Sequence, residues 1–539
     1  MSDSPKVNIA QWFHRSALSH GLRPALYVEE RYYSYQALLD HLTPIASTIE
    51  RLDTRRAAPI VALFAYRSLT AYAALLGILY AGKGYLPLNP LFPVTRNQHI
   101  VDLGEVELLI LDRHCEPQGH ELLLRVRKNL TVLLPDHPTL PAWTESLPRH
   151  RFLDQRAMLS VPSHLLSPSS QGNSLAYLLF TSGTTGVPKG VMVTHENVDA
   201  FVANMLDRYQ PTPEDRFSQH SDMTFDASVY DQLVCWAAGA CLYPIPQKVR
   251  MAPGQFIKEH ALTFWESVPA VIQFMRRMYQ LKPGAFPSLR LSVFGGEQLT
   301  REAARWWQNA APNSRIDNSY GPTEGTICIT GHFWRDGPDG PDGDATLNGV
   351  VPIGMPYPGQ RTAILVEGQL VHNVEGAKGE LCLSGSQVTP GYWRNDQETA
   401  RSYPECADAD GRVGRWYRTG DLVLWKNGVG LYYLDRVDRQ LKIRGYRVEL
   451  AEIEQVMRQV AKTGQVAVVG WPRGGDNITS VIGFVCGSTL SDEEILEGCA
   501  RRLPPYMVPR HLLRLAQLPL NANGKTDSGQ LLDMVRLDT

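Results

Sequence analysis

The chain has 539 residues, 43% of them hydrophobic and 20% charged, enough for one large layered domain or several smaller ones. Its 53 basic and 55 acidic side chains leave a formal charge of -2, which excludes nucleic-acid binding by counterion release as the main function. The N-terminal stretch MSDSPKVNIAQWF has no basic start followed by an apolar core, so no secretory signal is read and a cytoplasmic protein is expected.

Taken in chain order, PIVALFA (59 to 65) reads as a buried strand. LTAYAALLGILYAG (69 to 82) is the densest apolar run; it is too short to span a bilayer and predicts a buried helix, with no membrane partner. LAYLLF (175 to 180) and LRLSVF (289 to 294) are further strands, and their alternation with helix-like segments predicts α/β layering with parallel or mixed sheets. Residues 335 to 349, RDGPDGPDGDATLNG, are dense in glycine, proline and aspartate and predict an exposed loop. The eight cysteines are scattered; without a C-x-x-C or Cys/His cluster they predict neither a zinc site nor a disulfide framework.

From about residue 436 the texture changes. KIRGYRVEL leads into a helix over AEIEQVMRQVAKTG, followed by strands at QVAVVGW and SVIGFVC, and SDEE from 491 opens a further helix as a capping box. The expected architecture is therefore a large N-terminal multi-sheet α/β domain over residues 1–436 and a small, mobile C-terminal α+β domain over 437–539. The boundary falls at the charged stretch DRVDRQ, 435 to 440.

Four stretches carry candidate chemistry. TSGTTGVPKG (181 to 190) fails the Walker A pattern twice, with Pro188 in place of the second glycine and Gly190 after Lys189. It lies between two strand-like segments, where its glycines permit tight turns and Thr181, Ser182, Thr184 and Thr185 offer donors to phosphate oxygens. A polar hairpin turn would look the same. NSYGPTEGT (318 to 326) puts the aromatic face of Tyr320 ahead of a Gly-Pro turn and then Thr323 and Glu324. A base, a phosphate and a divalent cation would all find partners here, Glu324 being a hard oxygen ligand for Mg²⁺ unless it is simply solvated or ion-paired. In YRTGDL (417 to 422), Asp421 would accept from two ribose hydroxyls or serve as a cap or turn residue. NANGKTD places Lys525 on a turn, where a lone lysine otherwise only aids solubility.

Together with QLKIRGYRVELAEIE, these stretches resemble, in order, the adenylate-forming superfamily, most closely the amino-acid adenylation domains of nonribosomal peptide synthesis. The likeness covers nearly the whole chain. It begins with LLGILYAGKGYLPLNPLFP (75 to 93) and also takes in FDASV (225 to 229), FGGEQL, GELCLSG (379 to 385) and LPPYMVP (503 to 509).

The resemblance implies a two-step ATP-dependent ligase. A carboxylate attacks the α-phosphate of Mg-ATP, pyrophosphate leaves, and a thiol captures the acyl-adenylate. Thr181, Ser182, Gly183, Thr184, Thr185, Gly186 and Lys189 would hold the leaving phosphates. Tyr320 would stack on adenine, with Asn318 and the Gly295-Gly296 turn along its edge, and Glu297, Ser319, Gly321 and Thr323 complete the nucleotide site. Asp421, Tyr433 and Arg436 would hold the ribose, and Glu324 with Thr181 would place Mg²⁺. Lys525 would bridge the substrate carboxylate and the α-phosphate. Asp438 matches the hinge position about which the small domain turns, and Lys442 is grouped with these catalytic residues. The family usually has glycine where this chain has Asp435.

By the same resemblance, Asp226, read as an aspartate inside an apolar strand, pairs with the α-ammonium of an amino acid, and its burial predicts a cationic partner. The side-chain pocket is expected to be lined by Ala227, Tyr230, Glu266, Ser292, Phe294, Ser319, Ile327 and Cys328. Tyr230 and Phe294 would fill volume and limit the substrate to a small or medium side chain. Glu266 suggests a polar or cationic end group, or else a surface ion pair. The chain stops soon after NANGKTD, so the acceptor is expected in trans: a discrete carrier protein bearing phosphopantetheine, with coenzyme A the alternative. An acyl- or aryl-CoA ligase and a non-catalytic nucleotide-binding scaffold are the rival readings.

Overall fold

The computed structural model describes residues 7–52, 59–160, 168, 170–183, 188–335, 346–407, 411, 413–438, 440–443, 445–472, 478–519 and 526–535. Thr184, Thr185, Gly186 and Lys525, and most of the Gly/Pro/Asp-rich stretch, lie outside them. The chain divides into two compact units. The first comprises Met1–Pro90, Val101–Leu179 and Gly190–Val437, and the second Leu91–Ile100, Phe180–Lys189 and Asp438–Thr539. The two short segments of the second unit are tied to its C-terminal part. Arg96 pairs with the buried Glu452, and Ser182 Oγ donates to the Arg447 carbonyl at 2.8 Å.

The first unit is a multi-sheet α/β structure whose described residues form an eight-stranded, a nine-stranded and a five-stranded sheet. In the eight-stranded sheet, Ile60–Phe64 lies parallel to Gly84–Leu88 on one side and Leu108–Leu111 on the other. Every residue of Ile60–Phe64 is buried, the pattern of a strand covered on both faces. The run from residue 69 forms the helix Leu69–Tyr80, capped by Ser68, whose side chain accepts from the Ala71 amide. Being apolar all round, it is buried along nearly its whole length. The nine-stranded sheet contains the parallel neighbours Phe264–Ser267, Leu291–Phe294 and Arg315–Tyr320. The five-stranded sheet is antiparallel where Lys378–Gly385, Tyr417–Lys426 and Gly430–Arg436 pair.

In the second unit, the ribbon Gln440–Ile443 and Tyr446–Glu449 leads into the helix Leu450–Ala461. Its Ile453 and Met457 pack with Val468, Val481 and Ile495. Strands Val466–Trp471 and Ser480–Val485 pair antiparallel. Ser491 and Glu494 form a reciprocal capping box at the start of Asp492–Ala500, as the SDEE pattern predicts. All eight cysteines are free thiols. Among the described residues no helix is long and apolar enough to cross a membrane.

Candidate active site

Within the first unit the candidate residues gather at the carboxyl ends of adjacent parallel strands, where open α/β sheets place their ligands. Strand Leu291–Phe294 runs into Gly295 and Gly296, and its neighbour Arg315–Tyr320 runs into Gly321 and the short turn Thr323–Gly325. Two glycines are required here by space and backbone shape. A Cβ at Gly295 would meet the Ser319 carbonyl oxygen at 2.9 Å, and Gly296 has φ +80.

Three candidate nucleotide residues meet directly. Tyr320, buried, donates its hydroxyl to Asp421 Oδ2, and Arg436 Nη1 donates to Asp421 Oδ1, each at 2.5 Å. Asp421 and Arg436 are register partners on antiparallel strands, so sheet pairing fixes this ion pair. Burial, and then the Asp421 carboxylate, push the Tyr320 hydroxyl well above its ordinary pKa. Asn318 is turned to the backbone, donating to the carbonyls of Val351 and Pro352 at 3.2 and 2.8 Å. Glu297 accepts from the Ala270 amide at 3.0 Å, at the start of the helix Pro269–Arg277. Tyr433 packs against the main core.

Glu324 is 1% exposed, and its Oε1 accepts from the Tyr392 hydroxyl at 2.8 Å. Asp226 is half-buried and lies on a turn before the helical segment Ala227–Val229. The expected strand is therefore corrected: Phe225 and Ser228 bond back to the carbonyls of Asp222 and Phe225, which closes turns in place of a ladder. Burial raises the Asp226 carboxyl to about 6, against the hydrogen bonds of Thr323 and the Ala227 amide; Glu324 adds to the rise. These partners are neutral, where burial alone predicts a cation.

A small cavity opens beside Ala227. Tyr230, Glu266, Ser319, Ile327 and Cys328 line it as expected from the sequence, but Ser292 and Phe294 do not, and Val293 and Gly295 stand in their place. Ser292 accepts from Trp307 Nε1 at 2.8 Å, and Phe294 meets the Trp307 ring edge-on at 5.3 Å, on the far face of the sheet. A strand alternates faces with period two, so a slip of one residue exchanges the two sets. Phe201, Met205 and Tyr209 form another wall. Their spacing of four along the helix His195–Tyr209 is the stripe that marks one helix face, a signal the motif reading passed over.

Among the described residues Glu266 forms no surface ion pair, because it is not at the surface. It is 7% exposed, on strand Phe264–Ser267, and its Oε2 accepts from Ser221 at 3.2 Å. Burial raises its carboxyl to about 8, and Asp226 adds to the rise.

The remaining candidates belong to the second unit. Thr181 ends the strand Leu175–Thr181, and Lys189 begins Lys189–Thr194, so the phosphate-loop motif does connect two strands. Ser182 Oγ also accepts from the Glu449 amide at 3.2 Å, which engages that hydroxyl with the ribbon. Asp438 Oδ1 accepts from the Gln440 amide at 3.1 Å. Lys442 lies on the strand Gln440–Ile443.

A family model described as "AMP-binding enzyme" matches residues 13–393, and one described as "AMP-binding enzyme C-terminal domain" matches residues 452–525. The chain belongs to the AMP-binding enzymes. Among relatives of this AMP-binding enzyme, tyrocidine synthase 3 of Brevibacillus parabrevis is 31% identical over 97% of the chain, which spans 7% of that synthase. The L-proline–(L-prolyl-carrier protein) ligase of Streptomyces coelicolor is 32% identical over 96% of the chain and 94% of the ligase. Among solved structures, the Vibrio cholerae adenylation domain AlmE in complex with glycyl-adenosine-5'-phosphate superposes with a TM-score of 0.85 at 30% identity, covering 98% of each chain. This places it among the adenylate-forming enzymes.

Proposed function

We propose that the enzyme activates an α-amino acid as its aminoacyl-adenylate, releases pyrophosphate, and passes the aminoacyl group to the phosphopantetheine thiol of a separate carrier protein. The observation that carries this reading is Asp226: a half-buried carboxylate beside the cavity, with neutral partners and a raised pKa. An α-ammonium supplies the missing positive charge. The relative that acts, by its name, on L-proline and a carrier protein, and the one bound to glycyl-adenosine-5'-phosphate, support the same substrate class.

In this reading Tyr320 and the Gly295-Gly296 turn flank adenine, and Asp421, oriented by Arg436, accepts from the ribose hydroxyls. Mg²⁺ enters such sites on one or two carboxylates plus the substrate's phosphates. Glu324, a buried carboxylate already oriented by Tyr392, fits that role and would supply charge neutralisation at the phosphates. Thr181, Ser182, Gly183, Thr184, Thr185, Gly186 and Lys189 are assigned to the leaving pyrophosphate.

Lys525 is assigned to the first half-reaction, in which two anions must meet. One positive charge about 4 Å from a negative one at an effective dielectric near 20 contributes roughly 4 kcal/mol, or about three decades in rate. Asp438 is assigned as the hinge residue between the two half-reactions, absorbing a backbone change, and Lys442 to the same catalytic group. The free thiols suit a reducing, cytoplasmic setting.

Amino-acid-dependent exchange of labelled pyrophosphate into ATP, followed by transfer assays with a phosphopantetheinylated carrier protein and with coenzyme A, tests the proposal. Exchange with an amino acid and loading of the carrier support it. Exchange driven only by acids that lack an α-amino group, or loading of coenzyme A in preference to the carrier, contradicts it.

A further inference from the structure

Among the described residues, no cationic side chain lines the cavity. Glu266 lines the cavity, and Asp231, 1% exposed, lies behind it on the helical segment Tyr230–Val234. Burial, and then Glu266, hold the Asp231 carboxyl well above the usual carboxylate range. Arg67 and the His220 amide pull the other way, yet neither Asp231 oxygen makes a well-aligned hydrogen bond among the described residues. The Tyr230 hydroxyl, on a residue that lines the cavity and is 4% exposed, also has no hydrogen-bond partner among the described residues.

Arg67, the cation that bears on Asp231, is committed to backbone. Its guanidinium donates to the Gln219 and His220 carbonyls at 3.0 and 2.8 Å, and to that of Ile245. Of the three carboxyl groups Asp226, Asp231 and Glu266, it is Asp231 on which Arg67 bears, and each charge left unpaired in such a setting is costly. The substrate's α-ammonium offsets one of them. A second cation at the Glu266 end would meet a carboxyl that burial otherwise keeps protonated.

We propose that the side-chain pocket takes a short α,ω-diamino acid, its terminal ammonium received by Glu266 and the Tyr230 hydroxyl, with Asp231 behind. The inference rests on the amino-acid reading of the site and names the substrate class within it. Shortness follows from the walls: Phe201, Met205, Tyr209 and Tyr230 crowd the cavity. Before substrate binds, Glu266 keeps its proton at neutral pH, and the arriving ammonium displaces it, leaving a carboxylate–ammonium pair and a proton released to solvent.

The test is pyrophosphate exchange by the full chain with 2,4-diaminobutyrate and ornithine, each against its neutral counterpart, 2-aminobutyrate or norvaline, with aspartate and lysine alongside. One short diamino acid is expected to exceed its neutral counterpart at least tenfold in kcat/KM. Glu266→Gln is expected to erase that preference through KM for the amino acid while leaving KM for ATP in place. A neutral or acidic amino acid turning over best, lysine outrunning both shorter homologues, or Glu266→Gln slowing every substrate alike overturns the proposal while the amino-acid reading stands. Exchange with no amino acid at all overturns both. Should the variant fail to fold, calorimetry of the native enzyme decides the matter: the diamino acid is expected to bind at least tenfold more tightly than its neutral counterpart, and equal or weaker binding overturns the proposal.

Discussion

Glu266 and Val293 are register partners on adjacent parallel strands, and both line the same cavity. Their in-line neighbours, Trp265 with Ser292 and Ser267 with Phe294, belong to the other face, where Trp265, Ser292 and Phe294 meet Trp307. The pairing fixes the frame in which the whole pocket is read, and it places an acidic group in an otherwise largely apolar wall.

The Asp226 carboxyl titrates at about 6 in the folded protein and must be ionised to hold an ammonium. The amino-acid kcat/KM is expected to fall tenfold per pH unit below about 6, while KM for ATP stays flat. The stability sign is opposite to that of a salt-bridged carboxylate. The folded state binds this proton more tightly than the unfolded chain, so the group costs stability as pH rises from the ordinary carboxylate range through about 6. Asp226→Asn should therefore lose amino-acid-dependent exchange and yet unfold at a higher temperature than the parent at pH 7.5. Thermal melts at pH 4.5 and 7.5 check the sign, and an Asn variant less stable at both would refute it.

Asp421 is held between Tyr320 and Arg436. Hydrogen bonds to a charged group are each worth about 1.5–3 kcal/mol, so Tyr320→Phe should raise KM for ATP about ten- to a hundredfold with little change in KM for the amino acid. Steady-state kinetics with each substrate varied in turn gives the answer.

Behind the cavity wall, Arg208 donates through Nε and Nη2 to both oxygens of the fully buried Asp317, at 2.5 and 3.0 Å, and Tyr209 donates to the same carboxylate at 2.8 Å. Removing one partner of a buried pair costs about 3–5 kcal/mol. Arg208→Ala is expected to lower the unfolding midpoint markedly and to loosen the pocket, seen as a raised KM for the amino acid ahead of any change for ATP. Unchanged melting would show that Asp317 finds another donor.

Lys525→Ala is expected to slow adenylate formation about a hundred- to a thousandfold while transfer of a preformed aminoacyl-adenylate to the carrier thiol survives. Rapid-quench measurement of the two half-reactions separates them. Equal loss in both would contradict the assigned role.

The strands and helices were legible because their periodicity is local: the all-buried Ile60–Phe64, the apolar Leu69–Tyr80 and the Ser491 capping box each announce themselves within a dozen residues. Ordered motifs also brought Tyr320, Asp421 and Glu324 into view, since each lies beside a glycine turn or a Gly-Pro pair. The pocket frame was not legible in the same way. Ser292, Val293 and Phe294 are consecutive residues of one strand, and nothing in that short run says which parity faces the ligand until the neighbouring strands supply it. Nor does a sequence motif report that Phe201, Met205 and Tyr209, from a helix well upstream, close the other side, or that the carboxylate of Asp231 ends up behind Glu266.

The central claim, attack of a carboxylate oxygen on the α-phosphate, is tested most directly by oxygen transfer. With the amino acid that supports exchange labelled in both carboxylate oxygens with ¹⁸O, one label should appear in AMP after the aminoacyl group moves to the carrier thiol, and none in pyrophosphate. Label in inorganic phosphate with formation of ADP, or AMP carrying no label, would contradict it.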